Sequence, residues 1–391
     1  MKDLVKKLAS EQKEAIRENR HHLHMHPELS FEEFETSAWI KEHLVALGIP
    51  TMEGISGTSV VGILKGFQPG PTIAFRADID ALPVQEDNDL EYKSCVDGVM
   101  HACGHDTHNA TLMSFAAIMA AHPELVKGTI KFIFQAAEEK LPGGAVQLVK
   151  EGVMDDVDMI FGFHCAAGLE LGKTIVNDGP LSAAVATYEV KITGKGGHGS
   201  DPSRVVNPVP IAIMAANAVN QIKPEKVAPL HPITVTVSYI HGGKYPNVLP
   251  GDAMFGGHIR ALYNEDVKMV MDNIQKITTA IVESWGASCE YDIIYGYPAN
   301  VNDKEQADIV RAAVRELGYE TLTREPGLGG EDFAYYALEK PSCFFSVGGA
   351  NPDDPKTYFP HHSKDFKLDE DMLDIALECE IGTYLKATGQ A

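Results

Sequence analysis

At 391 residues, 44% apolar and 23% charged, the chain has ordinary globular composition and exceeds what one hydrophobic core usually organises. Two domains are expected, and disorder, collagen and coiled coil are excluded. The 33 basic and 55 acidic residues leave a net charge of −22, which repels phosphate backbones and anionic lipid and argues against nucleic-acid and membrane partners.

The opening MKDLVKKLASEQKEAIRENRHHLHMHPE has apolar residues at helical spacing and lacks the apolar core of a secretory signal. No stretch reaches the roughly 18 uninterrupted apolar residues that span a bilayer. Cys95, Cys103, Cys165, Cys289, Cys343 and Cys379 form no C-x-x-C pair, a spacing that suits reduced thiols. A soluble cytoplasmic protein is expected.

In chain order, a helix is predicted to about Asn19 and another over Thr36 to Gly48, followed by the β-rich SVVGILKG and TIAFRAD. DTHNATLMSFAAIMAAH is a buried helix with Asp106 as its expected N-cap. TIKFIFQ and DMIFGFH are short apolar runs of the kind buried on both faces of a sheet. From about Ala186 the pattern becomes β-α-β-β-α-β, the order of a ferredoxin-like unit, and after Pro298 it returns to helices and the strand CFFSVGG. The reading is an α/β domain with a mixed or parallel sheet and helices on both faces (1–185 and 299–391), interrupted by an inserted ferredoxin-like domain (186–298).

Ligands of open α/β sheets bind beyond the carboxyl ends of strands. RADIDALP (Asp78, Asp80), HACGHDTH (Cys103, His105), QAAEEK (Glu138, Glu139) and GFHC (His164) deliver polar groups there, with PHHS (His361, His362) downstream. Cys103 and His105 at a helix start pair a thiolate with an imidazole, donors that select borderline-soft cations; alternatively Cys103 is a small core residue and His105 only decorates the helix start. For Glu138 and Glu139 to bear on one site the chain must be leaving its strand, since neighbouring strand residues face opposite ways. One acid could then hold a metal while the other takes a proton from water; the alternative is an acidic pair opening the next helix. Asp78 or Asp80 could orient a ligand histidine. His198 lies on the glycine-rich GKGGHGSDP turn and Asn247 on a second such loop, while Glu331 could cap a helix and HHLHMHPE reads as a helix exit closed by Pro27.

The ordered motifs LHMHPELSFEE, RADIDALP, MHACGHDTHNA, QAAEE, GFH, GKGGH, NVLP, GGEDFA and HHSKDF resemble the dinuclear metal amidohydrolases of the aminoacylase type, in the branch of hippurate and indole-acetyl-amino-acid hydrolases. The resemblance implies a homodimer formed through the inserted lid domain and two divalent metals, zinc or manganese, with cobalt or nickel tolerated. It implies Cys103, His105, Glu139, His164 and His362 as metal ligands and Glu138 as general base. Asp80 would orient the metal site and His198 would hold the reacting carbonyl. The implied reaction is hydrolysis of N-acyl amino acids, with Asn247 and Arg260 as candidates for the substrate's carboxylate or carbonyl. A dipeptidase and a non-catalytic scaffold are the competing readings. Ser203, Asn207, Lys244, Tyr245, Pro246, Gly330 and Lys364 depart from the usual motifs, in lid and pocket loops rather than at a proposed ligand.

Overall fold

The computed structural model describes residues 1–52 and 54–390. The chain forms two compact units. One comprises Met1–Gly179, Val301–Glu325 and Asp332–Ala391; the other comprises Pro180–Asn300 and Pro326–Glu331.

The first unit opens with α1 (Lys2–Ser10), α2 (Lys13–Met25) and α3 (Phe34–Ala46). A turn at Glu11–Gln12 splits the expected single opening helix, so that α1 buries Val5 and Leu8 while α2 buries Ile16 and Leu23. Then follow β1 (Val60–Lys65), β2 (Gln68–Asp78), α4 (His105–Ala121), β3 (Lys127–Gln135), α5 (Ala145–Lys150), β4 (Met159–Glu170) and β5 (Lys173–Ile175). β6 (Gly179–Ser182) leads into the inserted unit.

There the order is β7 (Ala184–Thr193), β8 (Gly197–His198), α6 (Pro208–Asn220), α7 (Ile222–Lys226), β9 (Ile233–Gly242), β10 (Val248–Leu249), β11 (Asp252–Ala261), α8 (Asn264–Ser284) and β12 (Ser288–Tyr295). After β13 (Asn300–Asn302) come α9 (Lys304–Leu317), β14 (Glu320–Leu322), α10 (Ala334–Glu339), β15 (Ser342–Ala350) and α11 (Asp371–Ala387).

The first unit's mixed sheet runs β1-β3-β2-β4-β15-β5-β14, with β3, β2, β4 and β15 mutually parallel. Residues Ile73 to Asp78 and Ile130 to Gln135 are buried without a break, so both faces of these strands are covered. Parallel strands bring their carboxyl ends to one edge, where Asp78 and Gln135 pair in register. β4 runs six residues beyond His164, so that histidine lies within the strand rather than at its end.

In the inserted unit, β12-β7-β11-β9 form an antiparallel sheet in ferredoxin-like order, with α6 and α8 packed on it. Asn207 caps α6, its side-chain oxygen accepting from the Val209 amide. The apolar residues form two separate cores, one around Phe75, Phe115 and Phe161, the other around Phe255, Ile274 and Val190. Among the described residues, no helix is long and apolar enough to cross a membrane.

Candidate metal centre

Cys103 and His105 are set by the glycine between them. Gly104 is the N-cap residue of α4 and adopts the left-handed conformation, φ +85°, which side chains disfavour. A Cβ there would also run into the Cys165 sulfur, so Gly104 meets both a conformational and a steric demand. Asp106 does not cap α4 as expected. It is buried one residue inside the helix, accepting from Arg20 Nε at 3.0 Å and from the His24 ring at 2.9 Å. His24 therefore belongs to a buried ion network, while His22 and His26 flank the Trp39 edge of a surface pocket.

Hydrogen bonds orient the two central imidazoles. His105 Nδ1 lies 2.9 Å from the Asp80 carbonyl and 3.1 Å from its carboxylate, so Nδ1 carries the proton and Nε2, buried in the interior, has no hydrogen-bond partner among the described residues. Asp80 is fixed in turn by the Ser30 hydroxyl at 2.6 Å and the Glu139 amide at 3.0 Å. His164 Nδ1 donates to the Cys165 carbonyl at 2.6 Å, which turns Nε2 to within 3.4 Å of Cys103 Sγ.

The acidic pair leaves its strand sharply. β3 ends at Gln135, and Ala137 takes φ +56°, its amide held by the buried Glu33 carboxylate at 2.8 Å. Such a conformation costs a non-glycine residue on the order of 1 kcal/mol and persists only where its surroundings enforce it. The result is that Glu138 and Glu139 oxygens lie within 4.8 Å of each other and of a His105 nitrogen. The next helix begins only at Ala145, so the pair does not open it. His362 is also left-handed, φ +66°, with its amide on the Ala102 carbonyl at 2.8 Å and its Nε2 3.1 Å from Glu139.

Two donor groups overlap at the thiol: Cys103 with His105 and His164, and Cys103 with Glu139 and His362, each with ligand atoms within 4.8 Å. A further set of neighbours includes His108, but His108 Nε2 accepts the Cys165 amide at 2.8 Å and Nδ1 donates to Asp78 at 2.5 Å. Both its nitrogens are committed, which removes it as a ligand.

The electrostatics suit cations. Burial, reinforced by Glu139 and Glu138, pushes the Cys103 thiol well above its ordinary value. The helix start alone does not make the thiolate expected from sequence; a cation would. Burial works against charge on His105, yet Asp78 and Asp80 outweigh it and bring that imidazole up to about 10. His164 is held well below its ordinary value by burial and by His108 and His361, leaving a neutral donor. Thiol, imidazole and carboxylate donors around the buried His105 Nε2 fit a pair of divalent metals.

Residues 74–379 match the family described as peptidase family M20/M25/M40. The chain belongs to this family. It is 38% identical to thermostable carboxypeptidase 1 of Saccharolobus solfataricus over 95% of this chain and 96% of that one. It is 38% identical to an N-acyl-L-amino acid amidohydrolase of Geobacillus stearothermophilus, over 83% and 89%. A solved Bacillus subtilis structure, described as a dinuclear metal binding peptidase from the M20 family, superposes with a TM-score of 0.83 at 32% identity, covering 98% and 100%.

In this M20 member, three of the expected site residues belong to the inserted unit. His198 is exposed on β8, which pairs with β10, and its Nδ1 accepts from the Ser200 hydroxyl at 2.8 Å. Asn247 is exposed beside it, its carbonyl accepting the Gly199 amide at 3.0 Å. Arg260 donates from one guanidinium nitrogen to the Leu328 carbonyl at 2.6 Å, anchoring the Pro326–Glu331 segment. Glu331 does not cap a helix: α10 starts at Ala334. Arg76, His108 and Asp332, all buried in the sheet domain, carry no motif that marks them in the sequence. An arginine inside the apolar run TIAFRAD was the available signal, because a buried guanidinium has to bring its counter-ions with it.

Proposed function

We propose that the chain is a metal-dependent amidohydrolase cleaving N-acyl amino acids with small or aryl acyl groups. The observation that carries this reading is the pair of donor groups sharing Cys103, with Glu138 beside them at the end of β3. Cys103, His105, Glu139, His164 and His362 are the residues that would hold two divalent cations. Such cations supply Lewis acidity to the scissile carbonyl and to the attacking water.

The chain's own groups do the rest. Glu138 takes the proton of the attacking water and returns it to the leaving amine, as a general base and then acid. Asp80 keeps the His105 ring in the Nδ1–H tautomer, so that Nε2 faces the site. His198 supplies a donor for the developing oxyanion. Asn247 and Arg260 meet the substrate's carboxylate or carbonyl; Arg260 uses one of five N–H donors on Leu328. The inserted domain is the lid and pairs with a second copy of the chain in a homodimer. A cytoplasmic location agrees with six free cysteines.

A second reading, hydrolysis of small dipeptides, is supported by the 38% identical relative named as a carboxypeptidase. Amine release from N-acetyl, N-benzoyl and indole-acetyl amino acids and from dipeptides, with zinc or manganese, separates the two. Release that is lost on chelation and in Glu138→Ala supports the hydrolase, and the substrate ranking chooses between acyl and peptidyl groups. No release from any compound by protein carrying two metals per chain would sink both readings in favour of a scaffold.

A further inference from the structure

Behind the ligand cluster runs a second layer of charge that the proposed chemistry does not use. Arg76 is 1% exposed near the carboxyl end of β2, and each arm of its guanidinium has a separate partner. Nε donates to Gln135 at 2.8 Å, one terminal nitrogen to Asp78 Oδ2 at 2.6 Å, and the other to Asp332 Oδ1 at 2.7 Å. Asp332, fully buried, is closed off by Gln135 Nε2 and by the Ala145 amide at 3.1 Å. The Tyr336 hydroxyl donates to the same Gln135 oxygen at 3.2 Å.

From Asp78 the chain of contacts continues towards the ligands. Its Oδ1 accepts from His108 Nδ1, and His108 Nε2 accepts the amide of Cys165, the residue following His164. Its Oδ2 stands 3.7 Å from His105 Nε2, the atom that faces the ligand cluster. The guanidinium is fixed in orientation, because a planar group held at three points cannot re-aim one arm without moving the others. Three buried charges of net −1 also form a costly way to fill a core: apolar side chains of similar volume are often as stable. Such a layer is suited to fixing where ligands point rather than to adding stability.

We infer that Asp332, acting through Arg76, Asp78 and His108, is a positioning residue for the metal ligands His105 and His164. The inference rests on the reading of Cys103, His105 and His164 as ligands. Asp332 is also the first residue of its unit after the Pro326–Glu331 segment, which packs with the inserted unit. The ligand geometry is thereby tied to the point where the chain re-enters the sheet domain.

The test measures Zn²⁺ affinity by chelator competition and the visible spectrum of the Co²⁺-loaded protein, for full-length wild type, Asp332→Asn, His108→Gln and the double variant. Asp332→Asn keeps the volume while removing the charge. It is expected to remain folded by circular dichroism, to bind Zn²⁺ about 10–100-fold more weakly, and to shift the Co²⁺ bands. The double variant is expected to be no weaker than the worse single variant by more than about threefold, because both changes break one chain of contacts. Arg76→Lys, which keeps the charge and loses the fork, should reproduce the spectral shift even if Asp332→Asn proves unstable.

Wild-type affinity and spectrum in Asp332→Asn and Arg76→Lys would overturn the inference, as would fully additive losses in the double variant. Cys103→Ser and His105→Ala separate this failure from a failure of the ligand assignment. If both lose metal while the Asp332 variant does not, only the positioning role falls. If neither loses metal, the ligand reading falls and takes the inference with it.

Discussion

The candidate residues in the two units are held in opposite ways. In the sheet domain, His105, Asp80 and Asp78 are fully buried, and their side chains are hydrogen-bonded or ion-paired to further buried groups. In the insertion, His198 and Asn247 are exposed on short strands and glycine-rich turns, and their contacts are with neighbouring loop and strand residues. A site that must present several donors to cations within a fraction of an ångström needs the first kind of support. Groups that meet a variable substrate do not. Tight chemistry on strand ends and adjustable recognition on the insertion is the division this contrast suggests.

The sharpest way to break that division is to compare Glu138→Ala with His198→Ala. Removing the proposed base should lower kcat about 10⁴-fold and leave metal content unchanged. Removing the proposed oxyanion donor should cost about 10²–10³-fold. Metal content measured on the same samples keeps the two effects apart. Equal losses, or metal loss in the His198 variant, would mean that the insertion takes part in building the centre rather than in using it.

Glycines give the next comparison. Gly104→Ala must place a side chain in the left-handed region and against the Cys165 sulfur, costing about 2–5 kcal/mol and weakening Zn²⁺ binding. Gly329, in the segment anchored by Arg260, has nothing within 4 Å of an added Cβ. Its change to alanine should stay within about 0.5 kcal/mol. Denaturant unfolding of both variants, with Zn²⁺ titrations, decides the matter; comparable stability in the two would remove Gly104 as a determinant of the site.

Much of this was legible in the residues. Unbroken apolar runs named the central strands, and the change to alternating pattern named the insertion, because burial on one face or two writes itself into period and composition. The requirement that Glu138 and Glu139 leave their strand together is met by the left-handed Ala137. What pattern could not supply was the set of buried polar partners. Asp106 reads as a helix cap, and only the tertiary approach of Arg20 and His24 turns it inward. The thiol of Cys103 reads as a ready thiolate, yet burial among carboxylates pushes it well above its ordinary value. Arg76, Asp78 and Asp332 meet across 256 positions of sequence, a pairing no local window contains.

Burial alone does not mark a functional acid, and Glu380 on α11 makes the smallest but cleanest contrast. It is as buried as Asp78 or Asp80, but neither of its oxygens makes a hydrogen bond among the described residues. Burial, with no cation to oppose it, raises its carboxyl well above 4.5, whereas Asp78 is held well below its ordinary value because His105 and Arg76 outweigh burial. The folded chain therefore keeps a proton on Glu380 that the unfolded chain has released. Stability falls as pH rises from about 4.5 until the folded group itself ionises. Glu380→Gln carries no such proton and should be the more stable form at neutral pH, by about 1–3 kcal/mol, with little difference near pH 4. Denaturant midpoints of the two proteins at pH 4, 6 and 8 measure this. A gap that does not widen with pH would mean that Glu380 ionises with a partner, as Asp78 does beside Arg76 and His105.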